Sequence, residues 1–401
     1  MATGNCNDAI RVGGNGADIA GYDSIAMQTA ADALRSRGGG TILLSEGVYA
    51  MYGPVRLYSG MTLKGRGKGT VLKKAEGVVS AFAQDVDYGV LCARVADPAG
   101  FRAGTGIQVK DASSAAGYTV STSKAVAVEG DTIYFDRRTI MDYVGENGGE
   151  ISSACSVIEA IKADGVRICD LAVDGNGSRN PWIDGCRGGG IYLSKASRCT
   201  VENVLVHDFN GDGISWQITG DIAVRNTEVS GCAGSGLHPG TGTERSLVEG
   251  CRLIGNQGDG IFVCWRVCNC VFRNNEFSGN GANGICIGHR DTDNIFEGNV
   301  IRENRVSGVM TRIETEGNRA DRNAYRRNTV EDNGGPEGGS GFLFLSAVRG
   351  NVIEENTIGD SGAKRQRTGI SGDGLSGLTV RNNVFRGHAL GDMLESETLP
   401  V

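Results

Sequence analysis

Arg266, Arg290 and Glu314 follow one another at intervals of 24 residues. Around them lie His238, His289, Trp265, Asp291, Asp293, Arg312 and Glu316. Guanidinium groups grip carboxylate or sulfate bidentately. Imidazole changes charge near neutrality and serves as general acid or base. An indole offers a sugar ring an apolar face beside polar edges. Together these residue types suit chemistry on an anionic polysaccharide by lyase or epimerase action. Arg266, Arg290 and Arg312 would neutralise a uronate carboxylate, and His238 or His289 would take the proton α to it. The predicted catalytic residues are therefore His238, His289, Arg266, Arg290, Asp291 and Glu314. The predicted substrate-binding residues are Trp265, Trp216, Gln217, Arg312 and Asp293. Like charges on Arg266 and Arg290 need something negative beside them. Glu314 is expected to neutralise one, and Asp291, Asp293 or a bound anion the other.

Two other chemistries compete. A glycoside hydrolase needs two carboxylates, ~5–5.5 Å apart for retention or ~6.5–9.5 Å for inversion. Asp291, Asp293, Glu314 and Glu316 are candidates, with Asp212 and Asp259 at nearby corners. A non-catalytic module that binds glycan, or forms part of a spike or homo-oligomer, would bind saturably without product. No dedicated metal site is read. Asp291 and Asp293 offer Ca²⁺ hard oxygen ligands, but no loop requires the ion. Cys264, Cys268 and Cys270 lack the distant second pair of a zinc site. Cys199, Cys251 and Cys270 fall at apolar slots and read as small buried hydrophobes. His207 and Asp208 fall on another face of the repeat and read as structural, and His388 has no assigned role.

The elements that must position these residues recur. From about residue 185, a unit of apolar runs and polar corners repeats, with corners such as Gly211-Asp212-Gly213-Ile214 and Gly258-Asp259-Gly260-Ile261. Apolar anchors from Ile191 advance by 23, 23, 24, 24, 24, 33 and 28 residues, which is the period of a solenoid. Each period holds short runs rich in Val, Ile and Phe, broken by Gly and Asn, which read as strands and corners. The expected fold is all-β: a right-handed parallel β-helix whose coils stack about 4.8 Å apart. Its predicted core column is Val201, Val224, Val248, Phe272, Phe296, Tyr325, Ile353 and Val380. Beside it runs a predicted Asn column: Asn203, Asn226, Asn275, Asn299, Asn328, Asn356 and Asn383.

Four regions are expected. Residues 1–80 form an N-terminal cap and first coils. There Asp23 caps a helix over 24–37 with Ile25, Ala26, Ala30, Ala33 and Leu34 on its apolar face. Residues 81–150 break the repeat as inserted strands and loops. Residues 151–387 are the main coils, with a loop near 315–323, and 388–401 are a tail that caps or makes an oligomer contact. The 64 glycines among 401 residues, against a usual share of roughly 7 %, fit a chain that turns often. Collagen is excluded for want of a G-X-Y register. The net charge of −7 argues against nucleic acid, and no run of 18 apolar residues spans a membrane. The start, MATGNCNDAI, shows no secretory signal. The compartment stays open, secreted and periplasmic locations included.

The chain resembles the pectate-lyase-like superfamily of right-handed parallel β-helix proteins. The resemblance rests on Asp23–Ala33 followed by GGGTILLSEGVYAM and LYSGMTLKGRGKGTVLKK. Leu171-Ala172-Val173-Asp174-Gly175-Asn176 and the later GDGI corners are similar to mannuronan C5-epimerase catalytic modules. Those modules carry a Tyr and a D-P-H-E motif at a G-Y-G-F corner. Here that corner has Asp212 in the Tyr slot and Ser215 and Gln217 in the Asp and His slots, so the epimerase machinery does not carry over.

Overall fold

The computed structural model describes residues 8–114, 117–362 and 365–395. The start of the chain and residues 396–401 of the expected tail lie outside them. Among the described residues no helix is long and apolar enough to cross a membrane, and every cysteine is free. Two units divide the chain: Met1–Leu193 with Val204–Ser215, and Ser194–Asn203 with Trp216–Val401.

The first unit begins with short parallel strands and one helix, Ser24–Arg35. Asp23 caps it, its carboxylate accepting from the Ile25 and Ala26 amides at 2.9 and 2.8 Å. The buried face is Ala26, Met27, Ala30, Ala31 and Leu34. Ile25 is exposed and Ala33 only half-buried, which corrects the expected face. At about 100° per residue, the stripe centred on Met27 and Leu34 leaves both off its axis. The strands Gly40–Leu44 and Met61–Lys64 pair in parallel from Gly40 opposite Met61. The segment Val79–Ser152 departs from the coil pattern. It forms a six-stranded antiparallel sheet with its own core, which includes Phe101, Ile107, Val109, Ile133 and Ile151.

The second unit is built of stacked coils with short strands in parallel register. One sheet runs from Leu237–Gly240 through Ile261–Phe262, Ile285–Ile287 and Ser307–Thr311 to Gly391–Glu395. Leu237 stands opposite Ile261, Ile261 opposite Ile285, and Ile285 opposite Val309, so positions 24 apart are vertical neighbours. The predicted core column is present from Val201 to Val380, residue paired to residue. Phe272, Phe296 and Tyr325 stack face to face at 4.8 and 5.1 Å.

Asparagine ladders hold the corners. Along Asn275, Asn299, Asn328, Asn356 and Asn383 each side-chain amide donates to the next Oδ1, at 2.9–3.0 Å. Two parallel ladders were not read from the sequence: Asn256–Asn280–Asn304–Asn333 and Asn294–Asn323. Each ladder residue follows one in the left-handed region, such as Asn274, Glu303 or Asp293. Asn203 and Asn226, expected in the ladder, instead occupy that left-handed corner themselves, at φ 54° and 47°. Asn tolerates this conformation because its short side chain bonds locally. The long 33-residue step contains two insertions. Asn294 to Asn323 spans 29 residues and Val309 to Phe342 spans 33. The extra residues therefore divide between the loop with the short turn Glu316–Asn318 and a second loop before Gly339.

Candidate functional site

The candidate site lies in the second unit, where strands of the Ile261–Ile285–Val309 column run into their corners. At positions one and three beyond each anchor, side chains leave the core. Past that point the alternation fails. Trp265 and Arg266 are both left-handed, at φ 66° and 63°, and Arg290 has φ 55°. Such conformations are rare for bulky residues and are held only by surrounding structure. Here the Arg266 amide donates to the His289 carbonyl at 2.9 Å, and the Arg290 amide to Asn318 at 2.8 Å. The corner consequently turns Trp265 outward, 41 % exposed, although its even offset from Ile261 would have pointed it inward.

Five predicted residues meet at this corner. The His289 ring stacks on Trp265 with centroids 4.7 Å apart and planes 24° from parallel. His289 Nδ1 lies 3.1 Å from Glu314 Oε2, and both side chains are largely shielded from solvent. Ser346 Oγ accepts from the Glu314 amide at 2.6 Å and so anchors that carboxylate's backbone. Arg266 and Arg290 are exposed on successive coils. Neither guanidinium has an ion-pair partner among the described residues.

The expected neutralisation of these arginines is not what the structure shows. Glu314 faces His289. Asp293 is held bidentately by Arg322, at 2.7 Å to each oxygen, which keeps its carboxyl below the usual range. Asp291 is fully buried and faces Arg312 at 3.4 Å. Every carboxylate proposed for Arg266 and Arg290 is thus engaged by another cation or imidazole. For Asp293 the reason is an insertion: Arg322, which repeat counting could not place, reaches it from beyond the loop.

Beneath the corner runs a buried row. His238 is buried and meets Phe262 edge-on, centroids 5.1 Å apart. The Arg312 guanidinium lies 4.6 Å over the same ring and donates to the Val263 carbonyl at 3.0 Å and to Cys286 Sγ at 3.3 Å. Gly288 makes room for it, since a Cβ there would fall 2.6 Å from Arg312 Nε. Asp291 Oδ1 and Oδ2 accept from the Val267 and Gly288 amides, both at 2.9 Å. Burial nonetheless prevails over these donors and pushes the Asp291 carboxyl up to about 7. Burial also raises the Cys286 thiol to about 12, so it is not a nucleophile at neutral pH. Arg312, Asp291 and His238 are floor rather than surface.

Two predicted binding residues lie away from this corner. Trp216 is sealed in the core, its Nε1 donating to Ser246 Oγ at 3.2 Å. Gln217 is buried against Gly240, where any Cβ would strike its amide. Glu316, a hydrolase candidate, reaches Arg349 at 2.6 Å. Asp259 is spent on Asn283, accepting from its amide and its side chain at 2.9 and 2.8 Å. Sequence reasoning gave no role to Phe262 or to Ser346, the latter lying beyond the irregular loops. Among the described residues no group of three or more His, Cys, Asp or Glu side chains is placed to hold a metal ion. Asp291 and Asp293, read as Ca²⁺ ligands, are engaged by different arginines.

The family model described as a right-handed β-helix region matches residues 102–263, 171–312 and 263–391. The chain belongs to this family. As a solved fold, the β-helix is similar to the A-module of mannuronan C-5 epimerase AlgE4 from Azotobacter vinelandii. Identity is 17 % and the TM-score 0.60, over 94 % of this chain and 95 % of that one. The AlgE6 A-module from the same organism matches at 15 % identity and a TM-score of 0.56, over 94 % and 96 %. ORF18 of Geobacillus virus E2 matches at 13 % and 0.54, over 96 % of this chain and 61 % of that one. These likenesses show the right-handed β-helix fold. No curated protein matches the sequence.

Proposed function

We propose that this β-helix is a carbohydrate-active enzyme that works on a uronate-bearing polysaccharide by lyase- or epimerase-type chemistry. The supporting observation is the pair of exposed guanidinium groups, Arg266 and Arg290, without an ion-pair partner among the described residues, beside the His289–Glu314 pair and the exposed face of Trp265. An anion with carboxylates at successive sugars satisfies both arginines. Trp265 takes the apolar face of one ring.

With His289 Nδ1–H donated to Glu314, its Nε2 carries the lone pair and acts as base. It takes the proton α to the carboxylate. The C–H electron pair moves into the carboxylate to give an enediolate, which the arginine holding that carboxylate, Arg266 or Arg290, stabilises. Collapse of that pair onto the ring either expels the 4-linked sugar oxygen, which takes a proton from His289 and leaves a C4–C5 double bond behind, or takes a proton from water on the other face. The A-modules similar in fold are named for action at C-5 of mannuronan, which accords with a uronate substrate. A two-carboxylate hydrolase fits less well, because Asp291, Asp293, Glu314 and Glu316 each face a cation or imidazole.

The test is a panel of alginate, pectate and glycosaminoglycans. Absorbance of a new double bond reads elimination, and deuterium uptake from heavy water at C5 reads epimerisation. Absence of both signals on every uronate polymer would refute the proposal.

A further inference from the structure

The first unit carries a cleft of about 370 Å³, lined among others by Gln108, Lys110, Glu150, Trp182 and Asp184. Its floor is the antiparallel sheet of the inserted segment. Along Gly106–Lys110, Ile107 and Val109 point into that sheet's own core, as does Ile151 on the neighbouring strand. The alternate residues Gln108, Lys110, Glu150 and Ser152 therefore share the opposite face. Gln108 stands directly opposite Ser152, and Lys110 opposite Glu150.

Two of these groups are unsatisfied. Gln108 is 2 % exposed and Ser152 0 %, and neither Gln108 Oε1 nor Ser152 Oγ has a hydrogen-bond partner among the described residues. Buried polar atoms are normally paired, and each exception calls for an explanation. Trp182, 47 % exposed, lines the same cleft as Gln108.

The charges select the ligand. Lys110 is neutralised by Glu150 at 3.3 Å. Asp111, also at the cleft, spends its carboxylate on the Ser113, Ser114 and Val144 amides. Asp184 adds a further negative charge and gives one oxygen to the Cys186 amide. No lining cation is left for a carboxylate or sulfate. We infer that this cleft binds a neutral, hydroxyl-rich sugar, one ring stacked on Trp182 with its hydroxyls donating to Gln108 and Asp184. Its volume suits such a ligand. The inference is independent of the function proposed for the second unit.

The experiment is calorimetric titration of the full chain with neutral gluco-, manno- and galacto-configured oligosaccharides, and with oligomannuronate as contrast. Trp182→Ala and Gln108→Leu are compared with wild type, their folding checked by circular dichroism. Leu keeps the shape of the buried amide without its acceptor, so a merely structural Gln108 would leave binding unchanged. The expected result is saturable binding of at least one neutral series, weakened about ten-fold or more by either substitution, with no oligomannuronate binding lost in these variants. Absence of neutral binding overturns the inference. So does wild-type affinity in either folded variant, or oligomannuronate binding that depends on Trp182. Since no uronate turnover is read, failure here leaves the proposed reaction untouched, and the converse holds.

Discussion

Trp265 in the second unit and Trp182 in the first are similarly exposed, 41 % and 47 %. Their surroundings differ in charge. Trp265 stands with Arg266, Arg290 and a His–Glu pair, whereas Trp182 shares its cleft with the Gln108 amide, the Lys110–Glu150 pair and Asp184. An aromatic platform alone therefore says only that a ring can stack there. The ionic neighbours decide which ring, and whether anything beyond binding follows. The second unit offers the imidazole of His289 as a candidate base, whereas no histidine lines the cleft of the first.

The sharpest way to break this contrast is His289→Ala. It should reduce turnover of the uronate substrate by ~10²–10⁴-fold while leaving neutral-sugar binding at Trp182 unchanged. Loss of both would mean the two sites are not separate in function. Replacing Arg266 and Arg290 together by Ala should lower kcat/KM for the anionic polymer roughly ten-fold or more, again without effect on the cleft.

Ionic strength sharpens the same distinction with no mutation. Raising salt to about 1 M, where the screening length is about 3 Å, should weaken binding of the anionic polymer several-fold. Neutral oligosaccharide affinity should hold.

The smallest expected effect concerns the floor beneath Trp265. Asp291 is pushed up to about 7 in the folded chain, above about 3.9 when unfolded. The native state then binds the extra proton between those values, so stability falls as pH rises from about 4 to 7. Asp291→Asn removes that dependence. Thermal midpoints measured from pH 4 to 8 should decline more steeply in the wild type than in the variant. Parallel curves would show Asp291 ionised throughout.

Much of this was legible in the residues. Where the spacing stayed at 24, vertical neighbours followed directly, and the column from Val201 to Val380 pairs as counted. Arg266 and Arg290 stand on successive coils for the same reason. Asn203 and Asn226 were misplaced by one position because corner and ladder residues adjoin and both favour Asn. The partners of Asp293 and Glu314 were not legible. Arg322 and Ser346 lie past loops of irregular length, and counting carries no information across an insertion.

By itself the sequence determined the periodic part of this protein: coil length, the apolar columns and the β-helix, since a fixed repeat leaves stacked short strands few other arrangements. Tertiary structure alone decided which carboxylate meets which cation, that Trp265 turns outward while Trp216 is sealed in, and that the inserted sheet leaves Gln108 beneath a cleft. Those outcomes depend on left-handed corners and loop closure, where a rotation at one residue redirects a side chain without altering the pattern that encodes the fold.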